Sequence, residues 1–89
     1  NTAFHIHFWR TKDKAEVDFV LETGKDIVPI EIKYRDLKEP KMSRSVRNFI
    51  DRYNPKKALI INLSYEKTVN LGETTIHIIP FYKFNSMPL

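Results

Sequence analysis

The chain contains no cysteine, which excludes disulfide cross-links and thiolate metal sites and leaves the redox compartment open. Its only glycines are Gly24 and Gly72, so there is no glycine-rich loop to cradle a nucleotide phosphate. No apolar run approaches the roughly 18 residues that a membrane-spanning helix needs, and no signal-peptide pattern opens the sequence. An intracellular, cytoplasmic location and no membrane partner are therefore the default expectations. Ser43, Ser45 and Ser64 have no histidine or acid at a suggestive spacing, so serine-nucleophile chemistry gains no support. Repeats, low-complexity tracts and clear linkers are also missing.

What remains is the composition of one small folded domain spanning residues 1–89. Its apolar fraction is 42% and its aromatic fraction 12%, which is too rich for a disordered chain. The first residue is Asn rather than Met, so the expectation is a piece of a longer protein. The net charge of +4 is unevenly spread. Residues 33–57 hold nine basic side chains (Lys33, Arg35, Lys38, Lys41, Arg44, Arg47, Arg52, Lys56 and Lys57) against Asp36, Glu39 and Asp51. Such a stretch suits a phosphodiester backbone. It equally suits a solvated helix face followed by a loop.

The apolar pattern predicts an α/β domain. Residues 4–9 alternate as a strand, with His5, His7 and Trp9 opposite Phe4, Ile6 and Phe8. A polar turn over 11–14 leads to a strand over 16–22, and a turn at Gly24 leads to a third over 27–34. The run Ile27-Val28-Pro29-Ile30 predicts burial on both faces, hence a central position. These three form an antiparallel meander. A charged loop with Pro40 precedes a helix over 43–53, with Ser43 as N-cap and Val46, Phe49, Ile50 and Tyr53 facing the sheet. Asn54-Pro55 ends it. A strongly apolar strand over 57–63 follows, parallel to the third because a helix crosses between them. A loop through Gly72 leads to a fifth strand over 74–79, and the aromatic tail 80–89 has no clear period. The expected order is βββαββ in a mixed five-stranded sheet. One helix cannot cover both faces, so the second face needs an upstream helix, the tail or a partner.

Chemistry concentrates in two short strings, Glu16-Val17-Asp18 and Glu31-Ile32-Lys33, with twelve residues between Asp18 and Glu31. Side chains alternate along a strand, so each string puts its two charges on one face. If the strands are neighbours, carboxylates and an ammonium converge. Two carboxylates can hold Mg²⁺ or Mn²⁺, and a lysine beside them can orient water or stabilise charge on a phosphate. The competing reading is a set of alternating charges on a solvated face, with Glu31 and Lys33 neutralising each other. The central position of the third strand argues against it, because buried carboxylates need partners.

The strand-strand-strand-helix-strand order with Asp18…Glu31-x-Lys33 resembles the PD-(D/E)xK nuclease superfamily, whose fold is restriction-endonuclease-like. The strings from Phe8 to Leu21 (FWRTKDKAEVDFVL) and from Val28 to Lys33 (VPIEIK) are more specific. They resemble the C-terminal nuclease-like domain of unknown function of archaeal and bacterial AAA-type ATPases, over most of the chain. The resemblance implies that Asp18, Glu31 and the Ile32 carbonyl hold the metal, that Lys33 assists the attacking water, and that Glu16 stands behind Asp18. It also implies a metal-dependent DNA nuclease partnered with the ATPase domain of the same parent chain. Many relatives begin with a helix bearing a further glutamate; either that helix lies upstream in the parent protein or the site is incomplete.

Arg35, Lys38, Lys41, Arg44, Arg47, Lys56 and Lys57 are the candidate nucleic-acid contacts. His5 and His7 could approach a metal, and Trp9 could stack on a base, but polar strand positions and packing explain them as well. Phe81, Tyr82 and Phe84 are expected as core cover rather than as a partner patch. Two other functions stand beside the nuclease. One is a catalytically inactive module of the same fold that binds DNA or docks a protein. The other is a homodimer formed through the aromatic tail.

Overall fold

The computed structural model describes the backbone of residues 4–9 and 18–86 and, within these, the side chains of residues 19–22 and 24–84. Its strands are β1 (Phe4–Trp9), β2 (Asp18–Thr23), β3 (Ile27–Ile32), β4 (Lys57–Asn62), β5 (Lys67–Leu71) and β6 (Thr74–Pro80). The single α-helix among the described residues, α1 (Arg44–Tyr53), crosses from β3 to β4, and a 3-10 helix (Phe81–Ser86) follows β6. The strands form one mixed sheet in the order β1-β2-β3-β4-β6-β5. The meander is antiparallel, β3–β4 and β4–β6 are parallel, and β5 returns antiparallel along β6. The α/β mixed sheet thus contains the five expected strands and one more.

The extra strand, β5, replaces the expected loop. Lys67-Thr68-Val69-Asn70-Leu71 offers only two apolar residues, both half-buried, because an edge strand on one covered face needs no more. Gly72 makes the hairpin possible. It has a φ of +62° at the first central position of a two-residue turn, a conformation that costs glycine little.

Two apolar layers flank the sheet. Ala58, Ile60, Ile76 and Ile78 lie under α1, packed with Leu37, Val46 and Ile50. Leu21, Val28, Ile30, Leu59, Ile61 and Ile79 form the second layer, against which Phe19, Ile32 and Phe84 pack. The tail therefore supplies part of the second cover, through Phe84 and the turn of 3-10 helix that the lack of periodicity had hidden. Phe81 and Tyr82 correct the expectation of core cover, being 59% and 65% exposed.

The helix begins and ends where its sequence dictates. Ser43 has extended backbone angles, and its hydroxyl accepts the Val46 N–H at 3.2 Å, satisfying one of the free donors of the first turn. At the other end Asn54 adopts the left-handed conformation and donates its N–H to Ile50 O. Val46, Phe49 and Ile50 are buried as expected. Tyr53 is not. Its ring lies out on the helix against Phe49, with centroids 4.7 Å apart, and under the Arg52 guanidinium.

Candidate functional site

The antiparallel register between β2 and β3 sets position 18 directly opposite Glu31. Opposed positions of such a pair share one face, so the backbone brings together the two acid positions that the spacing singled out. Glu31 and Lys33, two apart, are both buried on the α1 side, with exposures of 0% and 3%. Lys33 Nζ lies 3.4 Å from Glu31 Oε2. The other carboxylate oxygen, Oε1, accepts the backbone N–H of Ser43 at 3.0 Å. Glu31 thus joins the centre of the sheet to the N-cap of the helix. A negative charge there also meets the positive end of the helix dipole.

This arrangement follows from topology. In a right-handed crossover the helix starts beyond the carboxyl end of the strand that feeds it, and ligand sites of open α/β sheets lie at that end. Glu31 stands at the carboxyl end of β3 and Lys33 directly follows that strand, with Lys33 N–H donating to Ile61 O of β4 at 2.8 Å. Successive residues of a strand direct their backbone groups to opposite neighbours. The polar groups of Ile32 accordingly face the β2 side, where position 18 lies.

The donor set suits a hard divalent cation. Glu31 Oε2 is buried and accepts no hydrogen bond from the described residues, and carboxylate with carbonyl oxygen is the chemistry that Mg²⁺ and Mn²⁺ prefer. Among the described side chains no group of three His, Cys, Asp or Glu gathers. The side chains of Asp18, His5, His7 and Trp9, and the whole of Glu16, lie outside the described residues.

The basic residues divide into two groups. Arg35, Lys38 and Lys41 are exposed on the loop between β3 and α1, and Arg44 and Arg47 are exposed on the first turn of the helix, beside the Glu31–Lys33 pair. Lys56 and Lys57 follow the far end of α1 and begin β4. A ten-residue helix separates the groups by about 15 Å, so the segment does not form one continuous grip.

Two polar residues were not anticipated. Ser43 was legible as a cap, but its N–H reaching Glu31 was not, since that contact depends on where the crossover lands. Asn62, at 1% exposure, ties three segments together. Its Oδ1 accepts the N–H groups of Leu37, Ser64 and Tyr65, and its Nδ2 donates to Tyr65 O and Ile79 O. The one available signal was an amide ending the apolar run Ala58-Leu59-Ile60-Ile61.

No helix among the described residues is long and apolar enough to cross a membrane. No curated protein and no solved structure matches the chain. One family model does match, over residues 1–84. The chain belongs to that family, DUF4143, a domain of unknown function.

Proposed function

We propose that this domain is a metal-dependent, nuclease-like module of restriction-endonuclease-like architecture that hydrolyses DNA phosphodiesters in the cytoplasm, partnered with an AAA-type ATPase domain of the same parent chain. One observation carries the reading: position 18 lies across from Glu31, and Lys33 Nζ sits 3.4 Å from the Glu31 carboxylate, at the carboxyl end of β3. The antiparallel meander, crossover helix and parallel fourth strand support the fold half of the proposal.

In this reading Asp18, Glu31 and the Ile32 carbonyl hold Mg²⁺ or Mn²⁺. The cation, when bound, supplies Lewis acidity and lowers the pKa of a coordinated water. Lys33 places a positive charge where the phosphate acquires negative charge. Arg35, Lys38, Lys41, Arg44 and Arg47 hold the backbone of the nucleic acid across the start of α1.

A second reading has an observation of its own. Both oxygens of Glu31 already face partners, and Glu31 and Lys33 are almost wholly buried. A pair so placed can serve only to fix the helix on the sheet, leaving a catalytically inactive module that binds DNA or docks a protein.

Titration calorimetry with Mn²⁺ on the parent domain and on Glu31→Gln separates the two. Binding that is lost in the variant, with Mn²⁺-dependent cleavage of DNA that Lys33→Ala abolishes, is the expected result. The second reading takes over if the parent binds no Mn²⁺ while its DNA affinity is indifferent to Glu31→Gln.

A further inference from the structure

Four large apolar side chains stand exposed at one end of the sheet: Tyr34 (73%), Leu63 (40%), Phe81 and Tyr82. Their positions follow the ends of the strands. Ile32, Ile61 and Ile79 form one rung across β3, β4 and β6. Tyr34, Leu63 and Phe81 each lie two residues beyond it, past the carboxyl ends of three adjacent parallel strands. Leu63 N–H donates to Arg35 O at 3.1 Å, a slip of two residues from the β3–β4 register, which still holds the first two segments side by side. Phe81 and Tyr82 meet edge to face at 5.8 Å between centroids. Neighbouring strands are about 4.8 Å apart, so the three strand ends from which these residues emerge span roughly 10 Å.

We infer that this row is a stacking platform for two or three unpaired bases, so that the domain takes single-stranded nucleic acid at the carboxyl edge of its parallel strands. The inference rests on the phosphodiester reading of Glu31 and Lys33 and adds the form of the substrate. Tyr34 directly follows Lys33, so ring and ammonium lie at the same end of β3. Exposed cations flank the row on the helix side: Arg35, Lys38, Lys41, Arg44 and Arg47. Of the nearby acids, Asp36 accepts from the Ser64 hydroxyl and Glu66 from Lys83 Nζ at 2.8 Å; Glu39 is exposed. Aromatic faces beside a positive groove are the physical requirements for holding single strands, because every base has a π-face and every linkage a charge. A duplex keeps its bases inside its own stack and has nothing to offer the rings. At about 3.4 Å per stacked nucleotide, the row matches two to three bases.

The test is fluorescence anisotropy with labelled oligothymidylate and a blunt duplex, in EDTA, on the parent, Tyr34→Ala, Phe81→Ala and Tyr34→Phe. Base stacking predicts about a tenfold loss of single-strand affinity for each alanine variant, with duplex affinity unchanged and Tyr34→Phe behaving as the parent. Thermal unfolding of each variant checks that the fold is intact. Parent-like single-strand affinity in the alanine variants, or no affinity in the parent, overturns the inference. A dimer that Phe81→Ala dissociates without altering oligonucleotide affinity also overturns it, and makes the row an interface between copies. Since EDTA removes any cation, the outcome is independent of the metal site. Ring-dependent binding without Mn²⁺ binding leaves the platform standing and sinks the phosphodiester reading. Mn²⁺ binding with ring-independent affinity does the reverse.

Discussion

Three buried polar residues, Asn62, Glu31 and Lys33, set the terms at the scale of single side chains. Asn62 makes five hydrogen bonds in the interior, and its amide orientation is fixed because three N–H donors surround one end and two carbonyls the other. Removing it strands several buried backbone groups at once, each costing roughly 1–3 kcal/mol when unsatisfied. Asn62→Ala is therefore expected to lower stability by about 3 kcal/mol or more, read as a fall of at least ~10 °C in the melting temperature. Glu31 and Lys33 behave differently, because the charges depend on each other. Lys33→Met leaves a buried carboxylate without its counter-charge, and breaking a buried pair this way costs about 3–5 kcal/mol. Adding Glu31→Gln removes the orphaned charge and keeps an acceptor for Ser43 N–H. The double variant should recover most of the loss in a urea titration, with m unchanged. A double variant as unstable as Lys33→Met would mean that the carboxylate itself, through Ser43, carries the stability.

The elements were legible to different depths. α1 was readable nearly to the residue, because a serine cap, a 3.6-residue apolar stripe and Asn54-Pro55 all speak for the same boundaries. The third strand was readable as central because Ile27-Val28-Pro29-Ile30 has no polar face to give to water. β5 was not readable: its pattern is weak, and its pairing is dictated by β6 rather than by its own residues. The pairing of position 18 with Glu31 follows from short-range turn geometry and was open to inference. The row beyond β3, β4 and β6 was not, since it depends on register across strands far apart in sequence. Tyr53 misled because its spacing fits the buried stripe, yet its ring packs along the helix on Phe49 and under Arg52 and stays 43% exposed. The hairpin carries its own prediction. A Cβ on Gly72 would meet nothing within 4 Å, so the cost of Gly72→Ala is purely that of its positive φ, about 1 kcal/mol. Gly72→Asn should cost less, because Asn tolerates that region. Chemical denaturation midpoints of the two variants provide the comparison.

For the whole molecule, the division of the basic residues is the first consequence to test. If nucleic acid crosses the start of α1, removing Arg44 and Arg47 together should reduce the slope of log affinity against log salt by about 2. Removing Lys56 and Lys57, about 15 Å away along the helix, should change that slope less. Equal effects would mean that the ligand runs along the full length of α1. The strand order has a quite different consequence, for how the chain folds. Every neighbouring pair of strands is consecutive in sequence except one, β4 with β6. The protein is thus two locally closed pieces, β1 to β4 with their helix and the β5–β6 hairpin, joined along a single parallel seam. Short loops close fast and distant contacts late, so docking of the hairpin onto β4 is the step at which both pieces become one cooperative unit. The seam is also where burial is most complete, at Ala58, Leu59, Ile60, Ile76 and Ile78. The sheet that presents Glu31 to the helix is closed only when its most hydrophobic boundary is, and until then the exposed flank of β4 is the chain's most adhesive surface.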